Sequence, residues 1–278
     1  MIQDDASFIA LVDPVTTRTS SVPLPWQHEG KRQFDSDLGN KHMKLDLEAA
    51  VVVPIDDDLD RLIAFGSGSS EMREKIVLAD VSRDRIDVQI VDAHALYDAF
   101  RSRVGFSGSE LNIEGACIVG GTLRLFQRGN GMPNESSLPV DATCDLDLER
   151  FLMYLDAPEA IDPPDIEAVH VYDLGALQNT RYTFTDATVH NETLYFLAAA
   201  EASPSATEDG PVVGTALGMA TDDATFVTPI LDEAGQPFLV KVEGLVAHPH
   251  VDGEFFMVTD QDDPDAPAEL CTLSVTFV

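Results

Sequence analysis

Residues Lys241 to Asp265 read KVEGLVAHPHVDGEFFMVTDQDDPD. An apolar run opens on a carboxylate, Glu243, and stops at the turn formers His250 to Gly253. A second run, Phe255 to Val258, returns, and an acidic loop occupies Asp260 to Asp265. Strand, turn, returning strand and polar loop spell a β-hairpin.

Three earlier stretches follow the same plan. The first, LDLEAAVVVPIDDDLDRLIAFGSGSS from Leu45, has Glu48 leading, a turn at Asp56 to Asp60, a return at Leu62 to Phe65 and a loop from Gly66 to Ser70. The second, ELNIEGACIVGGTLRLFQRGNG, has Glu114 leading, Gly120–Gly121 turning, Leu123 to Phe126 returning and a loop from Gln127 to Gly131. A Gly-Gly pair between apolar runs is a two-residue hairpin signal. The third, YTFTDATVHNETLYFLAAAEAS, has Asp186 leading, His190 to Glu192 turning and Leu194 to Leu197 returning. Further strand candidates follow each hairpin, at Lys75–Val81, Val169–Leu174, Val213–Met219 and Leu270–Phe277, and some have a fourth, at Ile86–Val91 and Phe226–Ile230. Each unit has too little core to stand alone, so the units must pack on one another.

Four strands per repeat predict an all-β fold, a β-propeller of four-stranded antiparallel blades forming one domain over residues 1–278. A sandwich also suits many short strands, but it does not explain why a carboxylate leads each repeat. Five blades are expected, six being the alternative. The N-terminal candidates Phe8–Val12 and Ser20–Pro23 either complete the last blade, closing the ring, or make a degenerate one. Two stretches interrupt the pattern as short helices, His94–Arg103 and Glu149–Leu155.

The openings DLEA, NIEG and KVEG, with the segments SGSS, LFQRGNG and VTDQDDPDAPAEL, resemble those of bacterial propellers of unknown function, akin to the phytase-like esterase and SdiA-regulated propeller groups. The likeness spans residues 45 to 278, and TFTDA departs from it. It implies a propeller with a carboxylate-lined central site and no assigned activity.

At 278 residues and 44% hydrophobic content the chain reads as globular. With 49 acidic against 17 basic residues the formal charge is −32, a field that repels nucleic acid and anionic membranes. The charge suits a cation, a basic protein partner, or simply a solvated surface. The start lacks a basic segment followed by an apolar one, so the cytoplasm is the expected location. Cys117, Cys144 and Cys271 lack metal-ligand spacing and read as structural thiols.

In a propeller the first strand of each blade starts on the face where the second ends. Glu48, Glu114, Asp186 and Glu243 are therefore expected to ring the channel mouth, where Ca²⁺ or Mg²⁺ suits an all-oxygen ligand set. The same carboxylates could instead accept hydrogen bonds from neighbouring blades. Arg128 and Asn130 of QRGNG are candidates for a small polar ligand, the guanidinium holding a carboxylate or phosphate or else pairing with the glutamates. Ser67, Ser69 and Arg73 of the GSGSS loop could cradle an anion. Asp260 and the following Asp262, Asp263 and Asp265 invite a cation but lack the EF-hand pattern. His248 and His250 fall at the opposite end of their hairpin. A metal-assisted (phospho)esterase, with the metal activating water, is the enzymatic version of this reading. The competing one is a non-catalytic interaction propeller with structural carboxylates.

Overall fold

The computed structural model describes residues 1–202, 210–221, 224–260 and 267–276. Asp262, Asp263 and Asp265 lie outside them. The chain divides into two compact units, Met1–Phe100 with Asp147–Asp165, and Arg101–Leu146 with Ile166–Val278.

In the first unit, β1 (Phe8–Val12) and β2 (Thr19–Pro23) pair into a two-stranded sheet. A four-stranded antiparallel meander follows: β3 (Leu47–Asp56), β4 (Leu59–Gly66), β5 (Lys75–Ser82) and β6 (Ile86–Asp92). Alternation puts Leu47, Ala49, Val51 and Val53 of β3 inside and leaves Val52 exposed, the period-2 signature of a strand. The middle strands are apolar on both sides because both faces are covered. Ile9 and Leu24 of the N-terminal hairpin region share a core with Leu47, Ala64 and Val77. Two amphipathic helices, His94–Ser102 and Leu148–Asp156, supply Leu96, Tyr97, Phe100, Phe151 and Tyr154 to the interior. Phe151 stacks on Phe65 at 5.7 Å, and the Tyr97 hydroxyl donates to Gly66 O at 2.6 Å.

The second unit holds three more meanders. One comprises β7 (Ile113–Val119), β8 (Thr122–Gln127), β9 (Asp141–Asp147) and β10 (Glu167–Tyr172). The next comprises the short β11 (Ala176–Leu177) with β12 (Thr180–His190), β13 (Thr193–Glu201), β14 (Val212–Ala220) and β15 (Thr225–Pro229). The last comprises β16 (Lys241–Ala247), β17 (Glu254–Asp260) and β18 (Leu270–Ser274). Inner strand β12 lies beside inner strands β7 and β16, as in successive propeller blades. The faces between them are sealed by Phe184, which meets Phe126, Tyr172 and Phe196 edge-on at 5.0–5.4 Å, and by Tyr195, Leu197, Val242 and Phe255. The β12–β13 turn puts Asn191 and Glu192 at φ 49° and 62°, the type I′ geometry that matches strand twist.

The fold is thus all-β, built from four blade sheets. The strand at Val169–Leu174 is the fourth of its blade, not the third as expected, because β9 precedes it. Its sequence, DATCDLD, hides a strand: Ala142, Cys144 and Leu146 are buried, while Asp145 pairs across the sheet with Arg124 at 2.7 Å. Among the described residues β1 pairs with β2, and β18 has β17 as its strand neighbour. Cys117 and Cys144 are buried free thiols and Cys271 is partly buried. No helix among the described residues is long and apolar enough to cross a membrane.

Candidate functional site

Every inner strand carries a β-bulge near its start. The cross-strand register skips one residue between Leu47 and Ala49, between Ile113 and Gly115, between Phe184 and Asp186, and between Val242 and Gly244. A bulge re-aims one side chain and leaves it outside the ladder. The bulged residues are Glu48, Glu114, Thr185 and Glu243. The third repeat was expected to contribute Asp186 at this position; the register puts Thr185 there, and Asp186 one place on, level with Ala49, Gly115 and Gly244. The residue after the bulge is small in the EG repeats because space is short. A Cβ at Gly115 would stand 3.2 Å from Ala187 N and Asp186 C on the neighbouring inner strand.

Thr185 and Asp186 serve that neighbour contact. The Thr185 hydroxyl donates to Val242 O at 2.7 Å, and the Asp186 carboxylate accepts from Leu245 N at 2.7 Å, so β12 is stitched to β16. Burial pushes the Asp186 carboxyl well above its usual range, and the charges of Glu114 and Glu243 add to the effect.

Arg128, just past the end of β8, is the hub of the second unit. Its backbone N–H donates to Asn112 O at 2.8 Å, extending the β7–β8 pairing by one residue. Its guanidinium is 3% exposed. It donates to Glu201 at 2.6 Å, to Glu114 at 3.3 Å and to the Thr183 hydroxyl at 3.1 Å. Lys241 lies 2.5 Å from Glu243 and 3.8 Å from Glu201. Asn112 donates to Glu114 at 2.8 Å and to Asn130 at 3.2 Å, and an oxygen of Glu114 lies within 4.8 Å of one of Glu243. Burial works against both bases, but the carboxylates around them prevail and hold Arg128 and Lys241 protonated. Burial drives the Glu114 carboxyl up to about 7, with Arg128 and Lys241 pulling it down and Glu243 pushing it further up. Beside the hub, buried Asp141 accepts from Gly129 N at 3.0 Å and Phe184 N at 3.2 Å, which ties the QRGNG loop to β12. Burial raises the Asp141 carboxyl to about 6.

The first unit places its expected residues in a network of opposite polarity. Here the hub is Asp46, 3% exposed and at φ 57°. Its carboxylate meets Lys44 at 2.6 Å, Arg73 at 2.8 Å and the Ser67 hydroxyl at 2.5 Å. Ser69 joins Ser67 and Arg73, each at 2.8 Å. The groups expected to cradle an external anion therefore hold an internal one. Burial favours the neutral form of Asp46, yet Lys44 and Arg73 outweigh it and keep its pKa low. Lys44 reaches on to Asp4 at 2.8 Å. Glu48 is partly buried, with oxygens of Asp4 and Asp46 within 4.8 Å.

Asp260 is partly buried at the end of β17, opposite Lys241. His250 N donates to His248 Nδ1 at the hairpin turn. Asn134 caps its own turn by accepting from Ser136 N and Ser137 N. The participants missed from sequence include Glu201 and Asp46, and with them the bases Lys241 and Lys44. Glu201 sits at the end of an alanine-rich strand with no motif of its own. Asp46, two residues ahead of Glu48, could have been found from its place beside Ser67.

Among solved structures, the GH43_1 enzyme from Xanthomonas citri is similar at TM-score 0.40 and 10% identity, over 81% of this chain and 73% of that one. A protein described as a glycoside hydrolase from Parabacteroides distasonis ATCC 8503 gives 0.36 and 11%, over 97% and 93%. The extracellular domain described as that of the hybrid two component system BT4673 from B. thetaiotaomicron gives 0.35 and 10%; this chain covers 26% of its length, and 92% of this chain is covered. Similarities this low assign neither activity nor substrate. No curated protein was found to match. The profile of the family of unknown function DUF6929 matches residues 1–275, and the chain belongs to that family.

Proposed function

We propose that the protein binds a small, positively charged polar ligand at the inner-strand openings of the second unit, Ca²⁺ or Mg²⁺ being the simplest such ligand. The observation that carries this reading is the charge count around Arg128. Among the described residues, three carboxylates, Glu114, Glu201 and Glu243, pair with two bases, Arg128 and Lys241. A buried group with one acid too many is stabilised by taking up either a proton or a cation. Glu114 and Glu243 are the oxygen pair for the cation, with the Asn130 side-chain oxygen and Asp186 beside them. Glu48 is their counterpart by register in the first unit. The ligand class follows from this charge balance and does not depend on the narrower kinship to phytase-like or SdiA-regulated propellers.

The test is the melting temperature in EDTA and in millimolar Ca²⁺ or Mg²⁺ at pH 7.5. A ligand at 100 times its Kd adds about 2.7 kcal/mol, a shift of several degrees. Glu243→Gln should abolish the shift. Identical melting with and without both metals overturns the cation reading. Hydrolysis is a further step, checked with p-nitrophenyl acetate and p-nitrophenyl phosphate in the same metal series.

A second reading, a non-catalytic interaction propeller docking a basic protein, is favoured by a different observation. Arg128, Thr185 and Asp186 each bond to a neighbouring strand or its flank, as structural residues would. On that reading Glu114→Gln leaves partner binding intact and metal has no effect on melting.

A further inference from the structure

The first unit holds a pocket of about 390 Å³ against the N-terminal hairpin, lined by Phe8, Lys31, Arg32, Gln33 and Leu38. That volume falls in the range of small-molecule sites. Its charge is the reverse of the chain's. The more buried bases of this unit are taken by acids: Lys44 by Asp4 and Asp46, Arg61 by Asp80, Arg73 by Asp46, Lys75 by Asp92. Lys31 and Arg32, among the described residues, have no carboxylate within ion-pair distance. The Arg32 guanidinium instead donates to Leu24 O at 2.5 Å and Trp26 O at 3.3 Å, which fixes its position without neutralising it. Asp35, on the same loop, is turned to the loop backbone, accepting from Asp37 N at 2.5 Å and Leu38 N at 3.2 Å. The wall is anchored from behind by Phe34, 1% exposed, and by buried Asn40, which donates to Gln33 O at 3.0 Å. The pocket thus combines two cations without a carboxylate partner and Leu38 on an anchored loop with Phe8 of β1.

We propose that this pocket binds a small carboxylate bearing an aromatic or short aliphatic tail. Lys31 and Arg32 take the carboxylate, Gln33 adds an amide donor, and Phe8 and Leu38 cover the tail. The pairing is charge-assisted at one end and apolar at the other, so it rejects both a neutral tail and a bare anion.

Titration of the full chain with benzoate, benzyl alcohol and acetate, followed by two-dimensional NMR, tests it. Benzoate should shift the Phe8 and Leu38 signals and bind at least tenfold more tightly than either of the other probes. Lys31→Glu should weaken benzoate tenfold or more and leave benzyl alcohol within twofold. The proposal is overturned by equal binding of benzoate and benzyl alcohol to the unaltered protein, by benzoate shifts that avoid Phe8 and Leu38, or by a folded Lys31→Glu variant that binds benzoate undiminished.

Discussion

The two charged networks occupy the same place in their blades and have opposite centres. Asp46 and Ser67 stand in the first blade where Asn112 and Arg128 stand in the second, each pair joined by a backbone hydrogen bond of 2.9 and 2.8 Å. In the first unit an acid is surrounded by bases; in the second a base is surrounded by acids. The consequences differ because acids and bases respond differently to burial with an excess partner. Two bases around Asp46 hold it charged far below neutral pH, so that network is insensitive to pH in the physiological range. In the second, among the described residues, three acids around two bases leave Glu114 poised near neutrality. The two networks lie at the same end of their blades, yet the buried acid of one stays ionised and that of the other is poised to titrate.

The comparison breaks most severely at the hubs. Arg128→Met strands Glu114 and Glu201 in the interior, and chemical denaturation should record a loss of about 3–5 kcal/mol, the cost of an uncompensated buried charge. Asp46→Asn keeps a residue type that tolerates positive φ but removes the charge between Lys44 and Arg73. It should cost about 2 kcal/mol, less than the first because Lys44 can still pair with Asp4.

Acidity sharpens the contrast. The folded pKa of Glu114, about 7, stands above its ordinary 4.5, so the folded state keeps a proton that the unfolded chain releases. Its contribution to stability therefore falls as pH rises from 4.5 to 7 and is level above that. Stability of Glu114→Gln relative to the parent should rise by about 3 kcal/mol across that window, measured by urea denaturation at successive pH values. Asp46→Asn should show no comparable change between pH 5.5 and 8. A flat Glu114→Gln difference would remove the pH distinction between the networks.

The smallest effects concern the bulges. Gly115→Ala pushes against main-chain atoms of Asp186 and Ala187 and should cost about 1–2 kcal/mol in thermal unfolding. Gly244→Ala meets Val258 Cβ at 3.2 Å and Cγ2 at 3.4 Å but no main-chain atom closer than 3.9 Å, and should cost less than that. Equal costs would mean that the two inner strands are not spaced as described.

Much of the fold was legible because its signals are local. Alternating apolar residues, a Gly-Gly turn and a carboxylate ahead of each apolar run are properties of a few consecutive residues. That is why strands such as Lys75–Ser82 and Ile86–Asp92 were readable nearly to their ends. Strand β9 was not, because three of its seven residues are acids whose partners, such as Arg124, lie 21 residues away. The site was legible in part. Glu114 and Glu243 were readable as recurring polar positions and Arg128 as a lone base in an acidic chain, but Asp186 was misaligned by one residue, since a bulge shifts the register without altering composition.

The amino-acid sequence by itself determined the blade modules, the carboxylate at most inner-strand openings and the acidic field around the molecule, all of which depend on residue type and short spacing. Only the tertiary structure decided what those charges face. Glu201 reaches Arg128 across 73 residues of chain, and Asp46 fills the Ser67–Arg73 cradle from within. A charge acts through distance in space and through burial, and neither is encoded at a fixed separation along the chain.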